Sequence, residues 1–376
     1  MIDGAGAFDA YRASFAEPSG YLNFASYGPP SRAVIETIGR LATAAAEGTS
    51  SALLHAEDQR ALAAVGRLTG FDADGLTLTS STSLGLMQVA FGLPRGEVLV
   101  SAAEFPSNLY AWWRSEEAGL TRVRPLPPVP VDPFAPITPE RVAAALKPDT
   151  VAVSVSAVDF RTGARADLAG LRDVVGDRLL VVDGIQGFGV ADLDWTDADV
   201  LVVGGQKWLR AGWGSGFVAL SPRALDRIRP VLGGWTGVED PGNYDGRPHR
   251  PLPNARRFSV TNGSPFASGA FATALEQLES VGVPAVEERI AGTVDQLLAA
   301  LATAGTPVLS PTGRADRAGI VVAGTSAGAA SAVTARLADA GVTATAHGED
   351  RVRLSVHATT TTAAIDAALD VLGGTL

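Results

Sequence analysis

Cysteine is absent from the 376 residues, which excludes disulfides and any thiol nucleophile. Lysine is nearly absent: of 30 Lys+Arg residues only Lys147 and Lys207 are lysine, and arginine supplies the rest. Aromatics are sparse at 6% and positive charge is outweighed, with a net charge of −10 and no basic run. That balance argues against a nucleic-acid partner. No apolar stretch reaches transmembrane length, and the N-terminus MIDGAGAFDAYRASF lacks a charged-then-apolar leader pattern. The expectation is a cytoplasmic protein with no membrane partner. A chain of this length can bury a large core and is expected to form one large and one smaller domain.

The scarcity of lysine directs attention to 179–209, LLVVDGIQGFGVADLDWTDADVLVVGGQKWL. Its apolar runs at 179–182 and 200–203 read as buried strands of a parallel sheet. Asp183 ends the first run, and Lys207 lies just past the second. Ligands of open parallel sheets sit beyond the carboxyl ends of the strands, so both side chains are expected at one crevice. A buried ion pair is the simplest reading of such a juxtaposition. Where arginine is the default cation, however, a lysine in a Gly-rich turn suggests an amine that must lose its proton, which guanidinium cannot do. Lys147, in Leu-Lys-Pro-Asp-Thr, reads as a solvated surface charge.

Asp183-Gly184-Ile185-Gln186 followed by Gly204-Gly205-Gln206-Lys207-Trp208-Leu209 resembles the class V aminotransferases, which are pyridoxal 5'-phosphate (PLP) enzymes of fold type I. The likeness extends over nearly the whole chain. It implies an α/β fold, with a large PLP-binding domain over 16–245 built on a mostly parallel sheet. A smaller C-terminal α/β domain over 246–376 would take in the N-terminal segment 1–15. It also implies Lys207 as the Schiff-base lysine, Asp183 on the pyridinium nitrogen and Gln186 near the ring hydroxyl, with no metal. A carboxylate on the ring nitrogen keeps it protonated, so that the ring can accept charge from Cα.

Taken in order, Tyr21–Pro30 is a turn-rich loop before an amphipathic helix capped by Ser31. The similar family segment lines the substrate entrance, which makes Asn23, Ser26 and Tyr27 substrate-site candidates. Leu76–Leu86 runs from a strand through a hydroxyl cluster into a helix. Ser/Thr clusters are more often simple N-caps, but a helix N-terminus also suits a phosphate. Ser81-Thr82-Ser83 falls on the family's phosphate-binding turn. Beyond the strand at 97–101, Phe105 stands where the family stacks a ring on the pyridine, often as His. In this respect the chain is similar to kynureninases and isopenicillin-N-epimerase-like members.

The segment 125–139 reads as a Pro-rich surface connection. Arg161, after the strand at 151–156, reads as a solvated loop charge, and Phe160 replaces the Asn of desulfurases. Gln206 is the one phosphate-side residue before Lys207 that carries over from the family pattern. Gly233-Gly234-Trp235-Thr236-Gly237 resembles the Gly-Trp-x-Gly of kynureninases, whereas Gln186 stands where that branch has His. Gly263-Ser264 resembles the family turn that reaches the partner's phosphate in a homodimer with composite sites. On a strand at 352–356, Arg353, Ser355 and His357 alternate onto one face. The family's Arg-x-Ser-x-His pattern assigns Arg353 to a substrate carboxylate and leaves His357 a candidate.

Three functions remain open on this reading. One is action at Cα of an amino-acid-like substrate, by transamination or β-elimination. Another is epimerisation, or kynureninase-like hydrolysis, on the same scaffold. The third is a non-catalytic binding protein, against which Lys207, Asp183 and Arg353 speak together. A desulfurase that carries persulfide on its own cysteine is excluded, because the chain has none.

Overall fold

The apolar runs at 179–182 and 200–203 lie at the centre of a seven-stranded sheet in the computed structural model, which describes residues 4–373. Its strands are β1 (Leu76–Leu78), β2 (Glu97–Ser101), β3 (Arg122–Leu126), β4 (Thr150–Ser156), β5 (Leu179–Asp183), β6 (Val200–Gly204) and β7 (Gly216–Leu220). They are ordered β1-β7-β6-β5-β4-β2-β3. The pairings from β3 through β6 are parallel, and β7 is antiparallel to both β6 and β1.

Every residue of β5 and β6 is buried, because helices cover both faces. Alternate residues feed two separate cores. Leu180, Val182, Leu201 and Val203 join one, with the helices Ala56–Thr69 and Pro265–Val281. Leu179, Val181, Val200 and Val202 join the other, with the helices Thr82–Gly92 and Ser107–Glu117. That two-sided burial is why the strands read as continuous apolar runs. Gly85 allows the Thr82–Gly92 helix to sit tightly on the sheet, since a Cβ there would lie 2.5 Å from Val202.

Strand β3 corrects one expectation. The Pro-rich stretch read as beginning at 125 in fact overlaps a strand, with Pro125 opposite Val100. Proline is tolerated there because β3 is the sheet's edge and needs no outward donor. The chain after it, to Thr138, is the expected irregular connection.

The second sheet is antiparallel, with β8 (Ile320–Gly324), β9 (Thr345–Ala346) and β10 (Arg351–Ser355) in the order β8-β10-β9. The helices Val283–Thr303, Ala330–Asp339 and Thr362–Leu372 contribute to its core. Tyr21 and Asn23 bridge to Thr343 and Ser355. The loop 21–30 therefore runs along the small sheet and delivers its next residues to the ends of β5 and β6. Among the described residues, no helix is long and apolar enough to cross a membrane.

Candidate active site

Asp183 and Lys207 meet at the carboxyl edge of the large sheet. Asp183, the last residue of β5, is 2% exposed and accepts a hydrogen bond from the Ile185 N–H at 3.0 Å. Burial pushes its carboxyl up to about 6, partly offset by that hydrogen bond and by the Lys207 charge. Lys207 is 8% exposed. Burial pulls its amine down to about 8; Asp183 opposes that fall and the Arg353 charge adds to it. The pair therefore offers an anion and an amine able to lose its proton near neutral pH, and the amine lies 5.1 Å from the Phe105 ring centre.

The Lys207 turn is held from outside by the loop 21–30. Gly28 N–H donates to the Gln206 carbonyl at 2.9 Å, and a Cβ on Gly28 would lie 2.0 Å from the Lys207 carbonyl oxygen. Only glycine fits that approach. Gly28→Ala is expected to destabilise the fold by about 1–3 kcal/mol, the usual range for overpacking. Urea unfolding reads this directly, and an unchanged midpoint would show that the loop yields freely.

The hydroxyl cluster sits where a helix begins. Ser81 caps the Thr82–Gly92 helix by accepting from Leu84 N–H, and Ser83 shares a hydrogen bond with Ser107 at 2.7 Å. The Thr82 hydroxyl is buried without a partner. It shares a small space with the Gln206 amide oxygen, since a Cβ on Gly204 would meet both, at 3.0 and 2.6 Å. Free helix N–H groups, an unpaired hydroxyl and a glycine floor make a cradle for a phosphate. Gly263 and Ser264 lie elsewhere, along a cavity of about 430 Å³ that also touches Thr79, Ser80 and Gln88. Ser264 caps the Pro265–Val281 helix.

Phe105 is 38% exposed, an available ring face beside Lys207. Gln186 is buried and engaged at both ends of its amide: it donates to the Ala25 carbonyl at 3.0 Å and accepts from the Trp208 indole at 2.7 Å. One amide hydrogen remains for a ring hydroxyl. Glu104 was not anticipated. Its carboxylate accepts from Ser156 N–H at 3.0 Å and also bonds the Ser156 hydroxyl, with Ser156 paired to Asp183 in the sheet. Burial raises Glu104 to about 7, and the nearby Asp183 charge adds to the rise.

The small antiparallel sheet contributes Arg353 from β10. Its guanidinium donates to the Ser26 hydroxyl at 2.8 Å and to the Phe160 carbonyl at 3.1 Å, while Nε has no partner. Asn23 joins through Thr345, whose hydroxyl donates to Asn23 Oδ1 at 2.7 Å and lies 3.5 Å from Ser26. Asn23, Ser26 and Arg353 thus form one polar web. Tyr27 stands apart, stacked on the 69% exposed Trp213 at 5.5 Å. His347, also unanticipated, lies edge-on to Phe160, and burial with the Arg353 and Arg351 charges pulls it down to about 4.

Two expectations are corrected. Arg161 is not a solvated charge: it is half-buried, bonded to both oxygens of Asp159 and to the Pro133 carbonyl. Its partner is two residues away in a tight turn, a geometry that alternation does not reveal. His357 does not share the Arg353 site. It lies past the end of β10, fully buried among Phe15, Phe24 and Trp208, and donates from Nε2 to the Trp208 carbonyl at 3.3 Å. Burial holds it well below its ordinary pKa, so it is neutral packing.

The chain is similar to known proteins in sequence and in fold. A kynureninase of Deinococcus radiodurans is 29% identical over 64% of this chain. The isopenicillin N epimerase of Streptomyces clavuligerus is 34% identical over 57%. The chain spans 58% and 56% of those two proteins, respectively. In structure it is similar to the cystine C-S lyase C-DES, with a TM-score of 0.86, 21% identity and coverage of 96% of this chain and 98% of that one. The class V aminotransferase family profile matches residues 45–369. A likeness over most of the chain, joined to a fold type I architecture, makes this protein a member of the class V aminotransferase family, PLP-dependent enzymes.

Proposed function

We propose that the enzyme acts at the Cα of an α-amino acid, with Arg353 holding the carboxylate and Lys207 taking the Cα proton. The observation that carries this reading is Arg353. It is 5% exposed, bonded only to a neutral hydroxyl and a carbonyl, and burial alone pulls it down to about 10. Among the described residues no carboxylate pairs with it. A buried cation without a counter-ion is costly, and a bound carboxylate offsets that cost through a two-pronged hydrogen bond.

The cradle fits the cofactor's phosphate: the unpaired Thr82 hydroxyl, Ser81 and Ser83 would hold it, and Gln206 would add a donor by turning its amide, whose oxygen faces Thr82. Asp183 would hold the ring nitrogen, Phe105 the ring face and Gln186 the ring hydroxyl. When bound, the cofactor supplies an electron sink for charge at Cα. Lys207, with its amine near 8, can accept a proton from that carbon and return it. Ser26 and Asn23 steady the Arg353 guanidinium, and Glu104 anchors the turn carrying Phe105 to the end of β4.

Transamination and β-elimination both begin with this proton transfer, and either is compatible with Lys207 as the base. Epimerisation begins the same way, and the similarity to an isopenicillin N epimerase supports it as the alternative. Incubating the holoenzyme with amino acids in deuterated water separates them. Stoichiometric keto acid indicates transamination, catalytic keto acid with ammonia indicates elimination, and a mirror-image product indicates epimerisation. Absence of Cα exchange with every α-amino acid would overturn the proposal.

Arg353→Lys keeps the charge but loses the planar fork. One charge-assisted hydrogen bond contributes about 1.5–3 kcal/mol, so substrate capture should fall roughly ten- to hundred-fold with cofactor absorbance unchanged. Equal capture by wild type and variant would remove Arg353 from the substrate site.

We also infer a homodimer in which Gly263-Ser264 approaches the partner's phosphate. Trp213, Trp235, Tyr244 and Val260 are exposed large apolar residues in the loops between β7 and the Pro265–Val281 helix and just before β7, surface that an isologous interface would cover. Sedimentation should give a dimer; a monomer with full cofactor occupancy would refute this.

A further inference from the structure

Three residues after Lys207 the chain places an arginine where the site has no evident use for one. Arg210 is 1% exposed and holds a left-handed backbone, φ 60°, unusual for a residue with a Cβ. Its N–H donates to the Lys207 carbonyl at 3.0 Å, which closes the Lys207 turn. Its guanidinium donates to the Pro29 carbonyl at 2.7 Å, to the Thr359 hydroxyl at 3.2 Å and to Glu17. Thr359 in turn donates to the other Glu17 oxygen at 2.6 Å. The guanidinium carbon lies 3.5 Å from the Phe15 ring centre. Four separate stretches meet on this one side chain: the N-terminal segment, the substrate-entrance loop, the Lys207 turn and the chain just beyond β10.

We propose that Arg210 is a positioning residue: its buried clasp with Glu17 and Thr359 fixes the Lys207 turn to the substrate-entrance loop and to the segment that follows Arg353. The inference rests on the roles given to Lys207 and Arg353 above. Its physical basis is the cost of leaving either charge of a buried pair alone, which holds all four stretches together or releases them together. Released, the entrance loop no longer shields Lys207, and water reaches the amine.

The rarity of lysine provides the readout. In the apoprotein, amine labelling with trinitrobenzenesulfonate followed by peptide mapping reports Lys207, with the exposed Lys147 as internal reference. Arg210→Met paired with Glu17→Gln leaves no lone buried charge, so it suits folding better than either change alone; Thr359→Val, which removes only the bridging hydroxyl, serves as the milder variant. Expected is an upward move of the Lys207 labelling midpoint by about one pH unit, toward an ordinary lysine, with Lys147 unchanged. Amide exchange should rise about tenfold or more in 21–30 and 205–211 but not in the Val283–Thr303 helix. A lower melting temperature with an unmoved Lys207 midpoint and wild-type exchange in both segments would make Arg210 a stability residue only and overturn the proposal. Because these readouts use the apoprotein, they stand even if Lys207 proves not to hold the cofactor, which the cofactor absorbance of Lys207→Ala tests separately.

Discussion

Lys207→Ala should lower turnover at least about a thousandfold, the scale on which enzymes depend on a positioned nucleophile and proton-transfer group. It should also remove the yellow absorbance of the holoenzyme, while Lys147→Ala, altering an exposed side chain near Glu97, leaves both intact. The apoprotein carries a second signature. Burial holds the Lys207 amine at about 8 against an ordinary 10.5, so the folded chain releases this proton more readily than the unfolded one. The resulting penalty on stability is fully present below about pH 8 and is relieved as pH rises from about 8 toward 10.5. Urea unfolding of the wild-type apoprotein should therefore show this group's contribution improving over that window, and Lys207→Ala should erase the improvement. Borohydride reduction of the holoenzyme with peptide mapping supplies the direct check. A pyridoxyl label on Lys147 would sink the assignment.

The sequence exposes Lys207 and Asp183 because their signals are local. Each follows an apolar run whose burial on both faces is fixed by short stretches of chain, and the parallel order of β5 and β6 puts their ends side by side. The turn at Ser81–Ser83, with Ser81 capping the helix, is legible for the same reason, since a strand, hydroxyls and a helix follow one another directly. Arg353 is legible through strand alternation, but its bond to Ser26 joins residues 327 positions apart. Nothing near either residue foretells that contact.

What escapes a sequence reading is set by distant partners. Arg210 looks like any exposed arginine until Glu17, 193 residues away, is brought against it. Glu104 precedes an aromatic that attracts more notice, yet its environment comes from Ser156, 52 positions on. His347 sits in a Gly- and acid-rich turn, and its pKa is depressed first by burial and then by the Arg353 and Arg351 charges of the neighbouring strand. Alternation misleads at His357 because β10 stops at Ser355. Past that point the two-residue rule no longer governs which way a side chain faces.

Asp183→Asn should keep much of the cofactor binding and lose roughly a hundredfold or more in turnover. On the proposed roles the cradle and Lys207 would still hold the cofactor, but a neutral amide cannot favour a protonated ring nitrogen, an electrostatic contribution of the size measured for single preorganised groups. The variant should also shift Lys207. The Asp183 charge opposes the fall of that amine, so its removal should carry the labelling midpoint of the apoprotein below about 8. On the acid side, the wild-type apoprotein has two neighbouring carboxyls raised by burial, Asp183 to about 6 and Glu104 to about 7. The Asp183 charge adds to the rise of Glu104, so the acid limb between about 6 and 7 carries both groups. Raised carboxyl values mean that the folded chain binds protons more tightly than the unfolded one. Their burial penalty is present above about pH 7 and is relieved as pH falls toward 4. Asp183→Asn should simplify that limb to a single carboxyl, lower than in wild type because the Asp183 charge no longer raises Glu104. Glu104→Gln should leave Asp183 alone to titrate, with Phe105 less firmly held. Turnover of Asp183→Asn near wild type, with cofactor fully bound, would show that this carboxylate does not govern the ring nitrogen.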